Sequence, residues 1–143
     1  MHVSTAGTIG VGGTGGIAIA YERHGNPDGP PLLLVHGLGM QLVAWHPDLL
    51  GALVSRGYDL VVCDNRDVGR STHLVAAGRP DLRALRSGEA ASAGGGRAAT
   101  AAAVPDAELL EIEGMGHDLP RACWERILDR LDDVTRRAEA ACR

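Results

Sequence analysis

The chain has 143 residues, one domain by size and long enough to bury a core. Its net charge is −4, and all 14 basic residues are Arg, so nucleic acid is not the default partner. Cys63, Cys123 and Cys142 are odd in number and scattered, which fits neither a metal site nor a secreted disulfide framework.

No N-terminal basic segment leads into a continuous apolar run, so no signal peptide is expected. No apolar stretch approaches the length of a membrane span. These features predict a cytoplasmic protein with no cofactor and no metal.

The first elements predict a β-hairpin. Residues 8–13 and 17–22 are short runs flanking Thr14, Gly15 and Gly16. Gly10, Gly12 and Gly15 form a formal dinucleotide fingerprint, but that motif needs a helix at its end. The chain instead alternates from Ile17 to Ala20 and breaks at His24, Gly25, Asn26 and Pro27. His24 is expected on the surface beside that turn.

Pro31, Leu32, Leu33, Leu34 and Val35 then run into His36-Gly37-Leu38-Gly39-Met40. A short, near-continuous apolar run bounded by turn residues predicts a buried strand. The glycines let the backbone turn tightly and present bare N–H groups, which can stabilise an oxyanion. Residues 45–57 predict a helix: Leu49, Leu50, Leu53 and Val54 share a face, and Gly57 stands just past its end. Trp45 reads as a packing residue and His46 as structural.

Residues 59–64 predict the next strand, followed by Asp64-Asn65-Arg66-Asp67-Val68-Gly69-Arg70-Ser71. This segment resembles one that follows a strand in α/β-hydrolases, and the resemblance implies that Arg66 and the carboxylates brace the loop and that Gly69 takes a conformation barred to side chains. Ser71 lacks the closing Gly of a G-x-S-x-G elbow and is not read as a nucleophile. Residues 74–86 predict loop and a short helix starting near Pro80 and Asp81. Residues 87–103 are Ala, Gly and Ser with almost no large apolar side chain, a composition that cannot make a buried strand.

Residues 107–113 predict a strand leading into Gly114-Met115-Gly116-His117-Asp118. A closing helix is expected from about Pro120 to Ala140, with Asp118 as N-cap and Trp124, Ile127, Leu128, Leu131, Val134 and Ala138 at helical spacing.

Three of these segments, in order, resemble the α/β-hydrolase family: the His36-Gly37 loop, the D-x-R-x-x-G-x-S segment, and the loop bearing His117. The resemblance covers residues 17–86 and 94–140, joined by an Ala/Gly-rich junction near 87–96, within one domain of 143 residues. It implies an α/β fold: a partial hydrolase sheet, an N-terminal hairpin plus mostly parallel strands, helices on both faces and a C-terminal amphipathic helix.

The resemblance also implies site roles. His36 and Gly37 shape an oxyanion loop in which the Leu38 N–H is a donor, and His117 is the catalytic histidine. The family's nucleophile strand, elbow and cap region have no counterpart here. Ser92 in Ala90-Ala91-Ser92-Ala93-Gly94 and Glu89 are the weak remaining candidates for nucleophile and acid.

The expected ancestral activity is carboxylic-ester hydrolysis, esterase- or lipase-like, with this chain catalytically impaired. The alternative is a non-catalytic remnant that binds a small apolar ligand or a partner chain. No nucleic acid or membrane partner is expected. The strand at 107–113 is expected to pair with the edge of Leu32–Val35; an uncovered edge there predicts self-association.

Overall fold

The computed structural model describes residues 3–11, 16–75, 78, 102–104 and 107–141. The fold class is α/β. The chain divides into two compact units, Met1–Ala77 and Gly78–Arg143.

The first unit is a four-stranded mixed sheet. Strands β1 (Val3–Gly10) and β2 (Ala18–Gly25) form the expected antiparallel hairpin. After β2 come β3 (Pro31–Leu34), helix α1 (Pro47–Ser55) and β4 (Asp59–Cys63). The spatial order is β1-β2-β4-β3. β4 lies antiparallel to β2 and parallel to β3, so β3, α1 and β4 make a parallel crossover unit. β2, where the dinucleotide fingerprint needs a helix, is a strand.

Helix α1 has well-formed ends. Pro47 opens it, and the His46 ring caps it by accepting the Asp48 N–H at 3.2 Å. At the other end the Gly57 N–H donates to Val54 O at 3.0 Å and the Tyr58 N–H to Leu53 O, the paired bonds of a Schellman stop. Its apolar face (Leu49, Leu50, Leu53) is buried, and α1 packs on β4 and β2. Leu60 and Val62 of β4 lie fully buried on the covered side of the sheet. Each such side chain contributes about 1.5–3 kcal/mol relative to exposure.

Ladder register explains one departure from expectation. Facing residues of an antiparallel pair share a side, and His24 faces Leu60. His24 is therefore not a surface residue but is 1% exposed, in the core. Neither ring nitrogen has a hydrogen-bond partner among the described residues; the nearest ionisable contact is Glu22 Oε2 at 3.7 Å.

The second unit holds a 3-10 turn (Arg121–Cys123) running into helix α2 (Trp124–Ala141). Trp124 and Leu128 are its buried residues, while Val134 and Ala138, further along the expected stripe, are exposed. Asp118 is not the helix N-cap: its carboxylate accepts its own neighbour's N–H, that of Leu119, at 2.9 Å. The 3-10 turn separates it from α2, and Pro120, which precedes that turn, makes no side-chain cap bond. The Trp124 indole N–H donates to Leu119 O at 2.9 Å, and the Arg121 guanidinium lies 5.0 Å from its ring.

Residues 107–113 form no strand. A strand needs a neighbour to satisfy its backbone, and this segment is tied to α2 by side chains instead. Glu108 binds both Arg130 and Arg137, and Arg126 donates to Glu111 O at 3.3 Å. The strand expected to pair with the edge of Leu32–Val35 is thus not formed, and among the described residues β3 is paired with β4 alone. The expected short helix after Pro80 and the junction near 87–96 lie outside the described residues. Among the described residues no helix is long and apolar enough to cross a membrane.

Candidate functional site

Strand β3 delivers the chain into the His36 loop. The Met40 N–H donates to Gly37 O at 3.2 Å, closing a four-residue turn. Gly39, third in that turn, has φ +79, the left-handed conformation that a type II turn requires. The N–H groups of Leu38 and Gly39 have no partner among the described residues. The Leu38 side chain is fully exposed. The sequence thus places two free backbone donors together on a tight turn.

That turn is gripped at both ends by two consecutive residues at the C-terminal end of β4. The Asn65 side-chain amide donates to His36 O at 3.2 Å. The Leu42 N–H donates to Asp64 Oδ1 at 2.7 Å. The second oxygen of Asp64 accepts the Arg70 N–H at 2.9 Å, so both oxygens of this buried carboxylate bind backbone. Such charge-assisted bonds are roughly twice as strong as neutral ones.

The segment after β4 is itself stitched to β2. The Ser71 hydroxyl donates to Asp64 O at 2.6 Å and accepts the Ala20 N–H at 2.9 Å. Thr72 Oγ1 accepts the Ala18 N–H at 2.8 Å. Asp67, at φ +68, accepts the Leu74 N–H at 2.6 Å and Arg66 Nε at 2.9 Å. These bonds, that of Leu74 first, hold the Asp67 carboxyl below the usual carboxylate range. Gly69 takes φ +54, the conformation expected of it.

The His36 ring stacks on Trp45, with centroids 4.0 Å apart and planes at 27°. His36 Nε2 and Trp45 Nε1 are buried without a hydrogen-bond partner among the described residues. Burial pushes the His36 imidazole below its ordinary value, against the opposing pull of Asp64. Its ring is therefore neutral at neutral pH. Burial, with Asp64 adding, pushes the Cys63 thiol up, which makes it a poor nucleophile.

Backbone N–H donors of this kind can stabilise charge on an oxygen, and the described residues offer no attacking group to go with them. Ser71 is buried with its hydroxyl committed on both sides. Among the described residues no group of three or more His, Cys, Asp or Glu could hold a metal ion.

His36, Gly37 and Leu38 thus come together in one loop of the first unit. His117 belongs to the second unit, exposed, after a turn in which the Met115 N–H donates to Ile112 O at 3.1 Å. Its ring has no partner among the described residues. Ser92 and Glu89 lie outside the described residues. Sequence reasoning missed that Asp64 and Asn65 grip the His36 loop, because the grip arises only from the pairing of β3 with β4.

The second unit also carries an open groove of about 570 Å³ lined by Leu109, Leu110, Arg126, Asp129, Arg130 and Asp133. Four of those six side chains are charged, so its lining does not suit an apolar ligand.

No protein-family model matches the chain. It is 43% identical over 58 residues to a putative carbamate hydrolase, RutD, of Variovorax paradoxus (strain S110), a match covering 41% of this chain and 21% of that protein. It is 44% identical over 57 residues to a probable oxidoreductase, EphD, of Mycobacterium tuberculosis, covering 40% and 9%. A bromoperoxidase structure from Bacillus anthracis superposes with a TM-score of 0.42 at 30% identity, covering 48% of this chain and 24% of that one.

The sequence likeness, to proteins named as a hydrolase and an oxidoreductase, covers about two fifths of the chain. The chain spans about a fifth or less of the length of these two sequence relatives.

Proposed function

We propose that the chain is an α/β-hydrolase by descent, that its ancestral activity is carboxylic-ester hydrolysis, and that it is catalytically impaired as it stands. The observation that carries this reading is the gripped His36 loop, where among the described residues two N–H donors are without partners and no attacking group stands beside them. In ester cleavage a nucleophile adds to the carbonyl carbon and the carbonyl oxygen takes up negative charge. The Leu38 and Gly39 N–H groups are donors of the kind that charge requires. His117 is our candidate for the base that removes the nucleophile's proton and returns it to the leaving alcohol.

The candidate nucleophile is Ser92 and the candidate orienting acid is Glu89. Neither is introduced by an apolar strand in the sequence, which supports impairment. The partial likeness to hydrolases supports the line of descent. The scattered cysteines support a reducing, cytoplasmic setting.

Reaction of the folded protein with a fluorophosphonate, followed by intact mass and peptide mapping, tests the reading alongside turnover of a small ester. No adduct and no turnover are expected. Stoichiometric labelling of Ser92, abolished by His117→Ala, would establish a working serine hydrolase and overturn the impaired state.

A further inference from the structure

Among the described residues, strand β3 ends the sheet with its outer side unpaired. The parallel register aligns Pro31 with Asp59 and Leu33 with Val61, and the Asp59 N–H donates to Pro30 O at 3.0 Å. In that ladder the backbone groups of Leu32 and Leu34 point at β4. Those of Leu33 and Val35, with the Pro31 carbonyl, point away from it. The outward groups have no partner among the described residues. Leu33 is 60% exposed and Val35 55% exposed.

We infer that this edge joins a second copy of the chain, β3 against β3, antiparallel about a two-fold axis through Leu33. Three features of the edge favour a copy of itself. Leu33 presents both its N–H and its C=O outward, so two copies exchange a reciprocal pair of hydrogen bonds at the axis. The Val35 N–H then meets the Pro31 carbonyl of the other copy, twice by symmetry. Only the N–H that Pro31 lacks goes missing from the ladder.

Second, no Asp, Glu, Lys or Arg occurs between Asp28 and Asp48, so two like edges meet without charge repulsion. Neither an inward charge nor a bulge interrupts β3; its edge protections are its four-residue length and Pro31, which removes one N–H from the ladder. Third, facing residues of an antiparallel pair share a side of the sheet. The exposed Leu33 side chains therefore cover each other, and each Val35 covers the other copy's Pro31. The other free edge, β1, is less suited: its register shifts between Val3 and Thr5, and Gly7 and Gly10 give it little side chain to pack. This inference does not depend on the hydrolase reading.

Sedimentation velocity of the full chain over a range of micromolar concentrations tests it. The expected mass rises with concentration from 14.9 kDa to twice that. Leu33→Lys sets like charges directly opposite each other and weakens association about tenfold or more. Leu33→Pro removes an N–H used only across the axis, and proline is tolerated on an edge strand, so it lowers association with the far-ultraviolet circular dichroism unchanged. Val43→Lys, at an exposed position off the strand, leaves association intact. A wild-type chain that stays at the single-chain mass overturns the inference. So does a dimer or larger assembly that survives both Leu33 substitutions.

Discussion

The Asp64 carboxylate occupies the space that a side chain at Gly69 would need. A Cβ built on Gly69 falls far inside van der Waals contact of both carboxylate oxygens and the carbon between them. Gly69 also sits at φ +54. Gly69→Ala therefore strains the backbone and displaces the group that holds Leu42 and Arg70. The expected cost is about 3 kcal/mol in urea unfolding, with the denaturant slope unchanged.

His24 makes the opposite prediction. Its two ring nitrogens are buried without a hydrogen-bond partner among the described residues, a cost that an apolar side chain of similar size does not carry. His24→Leu should stabilise the first unit by about 1 kcal/mol, read as a rise in the midpoint of thermal or urea unfolding.

The His36 ring should titrate below the ordinary histidine value of about 6.5 when followed by its carbon-bound proton shifts. Water is kept from it in part by Trp45. Trp45→Ala should therefore move the midpoint up. The sign for stability follows from the depressed value. The unfolded chain takes up a proton at His36 before the native chain does, so its contribution is complete above about pH 6.5 and falls as the pH drops below it.

Asp67 acts at lower pH. Its carboxyl is held down, first by the Leu74 N–H. Its contribution is present above the unfolded value near 4 and is lost as the pH falls through the lower folded value. Amide exchange at Leu74 should accelerate in that acid range, and Asp67→Asn should weaken the dependence.

The hairpin, α1 and β4 were legible because each carries its own local pattern: alternation, a short apolar run, or a helical face with a proline start and a glycine stop; β3 was legible as a strand but not as the buried one expected, since Leu33 lies 60% exposed at the sheet edge. His24 was not legible, because what buries it lies on β4, 36 residues away in sequence. A polar residue next to Gly25, Asn26 and Pro27 reads as exposed until the register with Leu60 is known. Residues 107–113 failed for the converse reason. Leu109, Leu110 and Ile112 look like strand, but a strand is a property of a pair, and here Arg126, Arg130 and Arg137 hold the segment.

At the candidate site the glycine turn could be read from His36, Gly37 and Gly39 alone. The grip of Asp64 and Asn65 upon it could not, since it depends on β3 and β4 lying side by side.

Every bond in that grip joins residues of the first unit, which ends at Ala77. As the chain leaves the ribosome, the His36 turn can be assembled and locked before the codon for His117 has been read. A fragment ending after Ala77 should retain the turn intact.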